Sequence, residues 1–347
     1  MMSGGVDSSV AAALLRDEGH DVVGVTLKLW GGESDSGCCS VSDVDDARRV
    51  ADLLGIEHHT FNFGEEFTRH VVGPYATEHE AGRTPNPCIE CNRHIKFAAV
   101  DERATQLGFD AVATGHHAQI ALLPNGTRRL ARGADAAKDQ SYVLHMLDQA
   151  QLARTLLPIG HMHKSEVRAV ATDLGLRTAS KPDSQDVCFI TKATGRNSFL
   201  GERIDFTPAR VIDKAGAQLG HVTAVELITV GQRKGLGLAG GAAPRYVVDV
   251  DRNGPVPTVT VGTAQDLLVD DQHVTRWAWV DGHPPSIESV DVQTSAHGST
   301  HAARLTAVSA GSGQVLLRWA QPQRRVAAGQ SVVAYHGDQV LGGGIAS

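Results

Sequence analysis

Ser3-Gly4-Gly5-Val6-Asp7-Ser8-Ser9 is the stretch from which the fold is read. Two adjacent glycines let the backbone turn tightly and approach an anion. Two serines follow where a helix begins, and the first turn of a helix carries N–H groups with no partner inside it. Hydroxyls and N–H groups then face one point, a geometry that cradles phosphate oxygens. The Walker pattern G-x-x-x-x-G-K-[ST] is absent, so no nearby lysine is placed to reach a terminal phosphate.

Working outward, the spacing predicts a helix from Val6 to Glu18, with Val10, Leu14 and Leu15 on one face and Gly19 as its stop. Val22–Leu29 reads as a buried strand, and Ser42 begins a helix with Asp45 in capping-box spacing and Gly55 at its end. Ile56–Phe61 is strand-like, Ile95–Leu107 is amphipathic, and Ala111–Thr114 is a short strand ending in Gly115-His116-His117. Such alternation implies parallel βαβ units with ligands at the carboxyl ends of the strands. The 3–9 loop, Leu27 and the 114–116 turn all fall at such ends. A loop of this kind follows a strand, yet only Met1 and Met2 precede it here. The expectation is a start placed too late, with about eight upstream residues supplying that strand.

After about residue 199 the texture changes to short strands: 210–212, 224–229, 246–250, 259–261, 274–280, 303–308, 315–319 and 331–335. The fold class expected is therefore a Rossmann-like α/β domain with a parallel sheet, followed by two small mainly-β domains, the last a β-barrel. The expected boundaries are 1–198, 199–264 and 265–347.

The net charge is −7, which by itself disfavours a nucleic-acid partner. From Val292 to Gly337, however, there is no Asp or Glu, while Arg304, Arg318, Arg324 and Arg325 make the stretch +4. A basic segment on an acidic chain suits contact with a phosphate backbone. No apolar run approaches the roughly 20 residues of a membrane span, and no signal peptide is visible, so the expected compartment is the cytoplasm. The cysteines are Cys38, Cys39, Cys88, Cys91 and Cys188, too few and too odd a set for a disulfide framework. Cys38 and Cys39 have no assignable role. Arg83-Thr84-Pro85-Asn86-Pro87-Cys88-Ile89-Glu90-Cys91-Asn92 reads as a proline-stiffened loop with a cysteine at each end of C-x-x-C.

SGGVDSS at 3–9 resembles the pyrophosphate loop of ATP pyrophosphatases, which split ATP into AMP and pyrophosphate. The whole chain resembles the bacterial tRNA-specific 2-thiouridylase family. The matching stretches are that loop, GRTPNP-x-x-x-CN at 82–92, ATGHH at 113–117, KDQSY at 138–142, CFI at 188–190, GQRKGLGL at 231–238 and LGGGI at 341–345. The resemblance implies adenylation of C2 of the wobble uridine, U34, in tRNAs for Lys, Glu and Gln, then sulfur transfer from a cysteine persulfide. It implies an ATP site at Ser3, Gly4, Gly5, Val6, Asp7, Ser8, Ser9, Leu27 and Gly115, with Mg²⁺ on the phosphates near Asp7. Cys91 would be the nucleophile and Cys188 the persulfide carrier, with a disulfide between them left by turnover. Asn86, Pro87, Cys88, His116, Lys138, Asp139, Gln140 and Gln330 would touch tRNA. A cysteine desulfurase or a sulfur-relay protein would be the donor.

Two departures stand out. Cys88 occupies a position that is often aspartate in the family, and an Arg-Tyr pair found in some members is replaced near Ser295-Ala296. With Cys88 present, three thiolates (Cys88, Cys91 and Cys188) offer an alternative in which they ligate a [4Fe–4S] cluster or zinc. An ATP-dependent small-molecule ligase or amidotransferase built on the same loop is the alternative from a different class.

Overall fold

The computed structural model describes residues 1–29, 41–183, 187–190, 195–238, 243–308 and 312–347. Cys38 and Cys39 lie outside the described residues. Helix α1 (Val6–Asp17) starts directly after Gly5, and its apolar face, with Val10 and Ala13, is fully buried. Strand β1 (Val23–Lys28), helix α2 (Val41–Leu54) and strand β2 (Glu57–Asn62) follow, close to their expected bounds. β1 and β2 pair in parallel from Val23↔Glu57 to Lys28↔Asn62. Strand β3 (Val112–Ala113) pairs in parallel with β6 (Thr155–Leu156).

Residues 1 and 2 join these two pairs. Met2 N donates to Val25 O at 2.7 Å, Thr26 Oγ1 donates to Met2 O at 2.8 Å, and the Met1 amino group donates to Ala113 O at 2.6 Å. A groove of about 370 Å³ runs on from them, walled by Val23, Val25, Phe61, Leu107, Ala111 and Val112. The two methionines thus lie where the sheet would continue between β1 and β3.

Between β3 and β6 lies a hairpin, β4 (Ala118–Leu122) and β5 (Arg128–Arg132), that the apolar periodicity does not announce. Its signal is the turn Pro124-Asn125-Gly126, since Asn-Gly is the favoured hairpin pair. The middle sheet has the order β8-β7-β10-β9, from β7 (Ala209–Asp213), β8 (Gln218–Val222), β9 (Tyr246–Asp251) and β10 (Thr258–Gly262). Its core holds Val211, Val225, Val247, Val259 and Val261. The strand expected at 224–229 is instead a 3-10 turn, Val225–Leu227. There the Glu226 carboxylate turns inward, accepting from Thr207 N and Arg252 Nη2 at 3.0 Å each. A strand would have aimed it elsewhere.

The last unit is a closed six-stranded barrel: β11 (Leu268–Trp279), β14 (Val315–Arg324), β13 (His301–Ala307), β12 (Val290–Gln293), β15 (Ser331–His336) and β16 (Gln339–Ala346), with β16 pairing back onto β11. The α/β domain and two β domains thus stand as the sequence implies. β5 of the first domain also pairs with β16, at Ala131↔Gln339, so the barrel is tied to the α/β domain by a strand contact. Among the described residues no helix is long and apolar enough to cross a membrane.

Candidate active site

The 3–9 loop sits at the helix end of the parallel sheet. Gly4 has φ +69, and a Cβ there would meet the Asp43 backbone, so glycine is required on both counts. The serine hydroxyls serve the loop itself. Ser8 Oγ donates to Gly5 O at 3.1 Å and accepts from Ser3 N at 3.0 Å, and Ser9 Oγ donates to Gly5 O at 2.8 Å. They are not aimed at a common outside point, as sequence reasoning expected; they hold the turn that presents the first-turn N–H groups. Gly115 packs on α1, where a Cβ would stand 2.6 Å from Asp7 C and Ser8 N. Leu27, near the end of β1, is 7% exposed. The loop, Leu27 and Gly115, separated in the chain, are thus gathered at the strand ends.

A charged network surrounds the loop, and sequence reasoning missed most of it. Lys181 Nζ donates to Gly4 O at 2.9 Å and to Asp43 and Asp46 at 2.7 Å each. Burial opposes its charge, but those two carboxylates hold the ammonium above its ordinary range. Lys164 Nζ donates to Asp7 Oδ1 and Oδ2 at 2.7 and 2.6 Å and lies 2.9 Å from Asp183. His117 Nε2 lies 3.3 Å from Asp7 Oδ1. Burial would raise the Asp7 carboxyl; the His117 and Lys164 hydrogen bonds outweigh it and hold the group below the usual carboxylate range. Asp183 also receives Lys138 at 2.7 Å and Arg168 at 2.8 Å, and is likewise depressed despite its burial. No local motif marks Lys164 or Lys181, because their partners are far away in sequence.

The 113–117 and 138–142 motifs clamp each other. Gln140 Oε1 accepts from His117 N at 2.9 Å, and Gln140 N donates to His117 O at 2.8 Å. Asp139, 7% exposed, accepts from Gly133 N, Ser141 N and Arg132, so its carboxylate is turned inward. His116 is also buried, with Nδ1 2.7 Å from Thr114 Oγ1. Burial holds its imidazole well below the usual range, hence neutral. Of the residues expected to touch tRNA here, Lys138 and Gln140 keep partly exposed side chains.

The C-x-x-C segment departs from expectation, since it is a helix rather than a loop. Helix Pro87–Cys91 has Asn86 as its N-cap, accepting from Cys88 N at 3.1 Å, and Pro87 in the first turn. It runs on into a π-helical stretch, Asn92–Ala99, and helix Val100–Gln106. Asn before Pro is itself a helix-start signature. Cys88 is exposed and Cys91 buried. Cys91 shares an apolar cluster with Leu27, Phe67 and Phe189, and the half-buried Cys188 packs against that cluster. Among the described residues no three of His, Cys, Asp and Glu gather to hold a metal ion, and that includes the Cys88, Cys91 and Cys188 set of the alternative reading. A cavity of about 220 Å³ opens beside Asn86 and Pro87, with Glu90, His94, Arg276 and Ser331 in its wall. Thr84 N donates to Ala328 O at 2.8 Å, which brings Gln330 of the barrel close to this segment.

The acid-free stretch is less bare than its composition implies. Arg318 is paired with Asp271 at 2.9 Å and Arg304 reaches Glu288 at 3.9 Å, both acids from outside the stretch. Arg324 and Arg325 are exposed.

A nucleotide-type phosphate loop on an α/β domain, a cysteine-bearing helix packed on the same domain, and two appended β domains define the class: a multidomain α/β enzyme with a loop built to hold a nucleotide's phosphates. Residues 1–192 match the tRNA methyl transferase HUP domain, 197–262 the tRNA methyl transferase PRC-barrel domain, and 269–346 the aminomethyltransferase beta-barrel domain. The chain is 47% identical over 352 residues to tRNA-specific 2-thiouridylase MnmA of Beutenbergia cavernae, covering 98% of this chain and 92% of the relative. It is 46% identical to that of Chloroflexus aurantiacus, covering 99% and 96%. The chain belongs to the tRNA-specific 2-thiouridylase family, and its enzyme class is tRNA-uridine 2-sulfurtransferase. A solved U34-tRNA thiolase, NcsA from Methanococcus maripaludis with its [4Fe-4S] cluster, matches at 19% identity over 58% of this chain and 60% of that one, with a TM-score of 0.34, too slight a likeness to carry its cluster across.

Proposed function

We propose that the protein adenylates O2 of uridine 34 in tRNAs for Lys, Glu and Gln with ATP, then replaces that oxygen with sulfur from a persulfide on Cys188. The observation that carries this reading is the convergence of Leu27, near the carboxyl end of β1, with Cys91 and Cys188 on one apolar cluster. ATP lies along residues 3–9, Leu27 and Gly115. Pyrophosphate leaves, and the uridine carries AMP as a leaving group. Mg²⁺ would supply charge neutralisation on the phosphates, and Asp7 of the loop is the residue that would hold it.

The thiolate of Cys91 attacks the inner sulfur of the Cys188 persulfide. The outer sulfur departs with the bonding electron pair and adds to C2, and AMP is expelled. Cys91 and Cys188 are left as a disulfide, which an external thiol reductant reopens. The cavity beside Asn86 and Pro87 receives the anticodon nucleotides, Cys88, Lys138, Gln140 and Gln330 add to the surface that meets tRNA, and the buried His116 and Asp139 brace the 113–117 and 138–142 segments. The donor of the persulfide sulfur is a cysteine desulfurase or a sulfur-relay protein, and the compartment is the reducing cytoplasm.

The test is release of AMP and pyrophosphate from ATP with and without unmodified tRNA, alongside thiouridine formation from a persulfide donor. Turnover only with tRNA, by a colourless, iron-free protein, is expected. ATP cleavage driven by a small-molecule acceptor would replace the reading with a ligase. A brown protein with about four irons, lost together with activity in Cys88→Ser, would replace the persulfide with a cluster.

A further inference from the structure

We propose that Lys164 is a phosphate-binding residue of the ATP site, parked on Asp7 and Asp183 until the nucleotide arrives. The inference rests on the reading of residues 3–9 as an ATP loop. Lys164 is the first residue of helix Lys164–Asp173 and is 9% exposed. A cation there opposes the helix dipole, and burying an ammonium carries a desolvation cost. Its position is thus poor for the helix and explicable by what it faces. Nζ reaches both oxygens of Asp7, the charged residue inside the phosphate loop, at 2.7 and 2.6 Å.

Asp7 lies in the first turn of α1, where an anion is favoured. Its carboxylate is met there by Lys164 and by His117, which is 2% exposed and whose Nδ1 has no hydrogen-bond partner among the described residues. A helix N-terminus, an ammonium and an imidazole around one carboxylate form a seat equally suited to phosphate oxygens. Polyphosphate carries more charge than Asp7 and competes for Lys164. Withdrawing Lys164 leaves Asp183 still held by Lys138 and Arg168, so the exchange strands no buried carboxylate there. Asp7, released, then faces the cation on the phosphates. The lysine that a Walker loop carries in its own sequence is supplied here by a helix far along the chain.

The experiment titrates purified protein with MgATP and with AMP, which lacks the β- and γ-phosphates. Lys164→Met should weaken MgATP binding about ten- to a hundredfold, the range for losing a charged hydrogen bond, and leave AMP affinity unchanged. Lys164→Arg, keeping the charge, should restore most of the loss. Unchanged MgATP affinity in Lys164→Met, or equal losses for both nucleotides, would overturn the proposal. A second measurement uses the wild-type chain. Adenosine triphosphopyridoxal, whose aldehyde stands at the end of the phosphate chain, should after reduction label Lys164; labelling confined to other lysines would overturn it. Wild-type protein that binds no ATP would sink the loop reading itself, which separates that failure from this one.

Discussion

At the scale of single residues, the cysteines differ in what the fold lets them do. Cys91 is 6% exposed within an apolar cluster, whereas Cys188 is half-buried against it and Cys88 is exposed. A shielded thiol beside a more accessible one suits an attacker and a carrier that an outside donor must reach. Cys91→Ser and Cys188→Ser should therefore each abolish thiouridine formation while tRNA binding persists, as read by thiouridine content of tRNA incubated with each variant. Near-normal content with either variant would remove that cysteine from the chemistry. Asn86 is a different kind of residue, acting on Cys91 through the helix that carries it. Asn86→Ala removes the cap on Cys88 N and should lower stability by about 1 kcal/mol. Thiolation should slow by more than that loss of folded protein accounts for, measured as rate at a temperature where the variant is fully folded.

At the scale of elements, the parallel sheet is joined through Met1 and Met2. The amino-terminal ammonium is buried at the sheet, and burial pushes it down to about 6. The groove of about 370 Å³ beyond it is walled by backbone of β1 and β3. Met2 N on Val25 O, Thr26 Oγ1 on Met2 O and the Met1 amino group on Ala113 O are the bonds that hold β1 and β3 to one another through these two residues.

At the scale of the whole molecule, two buried histidines sit at the joints between domains. His79 Nδ1 lies 3.3 Å from Glu226 O of the middle domain, and the His145 ring packs under Gly343 of the barrel. Burial pushes both down to about 4, so both are neutral in the native state at neutral pH. Between pH 6.5 and 4 the unfolded chain binds these protons and the native one does not. Stability is therefore full above pH 6.5 and falls as pH drops toward 4, by on the order of 3 kcal/mol per histidine. A melting temperature that stays flat from pH 7 to pH 4 would contradict this. The exposed pair Arg324 and Arg325 belongs to the same scale, because the barrel brings its charge to bear on a long polyanion. Replacing both with Ala should weaken tRNA binding and flatten its salt dependence, each lost phosphate contact removing about 0.9 from the log–log slope on duplex, with ATP affinity unchanged. Unaltered binding at low and high salt would place the tRNA surface elsewhere.

The sequence by itself determined the elements whose causes are local. Gly4 and Gly5 before a Ser-rich helix start, the periodicity of α1 and α2, and the alternation of β1 to β3 with helices need only neighbouring residues to be read. The Asn86-Pro87 cap and the Asn125-Gly126 turn also carry contiguous signals, but the reading of 83–92 as a loop and of 118–132 without a hairpin passed over them. The tertiary structure decided what depends on distant partners. Strand β16 is hidden in sequence by Gly342, Gly343 and Gly344; closure of the barrel onto β11 explains Gly342 and Gly344, where side chains would strike Ala278 O and Thr275 O, and the His145 ring of the first domain explains Gly343. The 3-10 turn at Val225–Leu227 follows from Glu226 meeting Arg252, and the Asp7–Lys164–Asp183 network joins three separate segments. Pairing across such separations depends on how the layers pack. A periodic pattern records which face of an element is buried, but not which charged group waits opposite it.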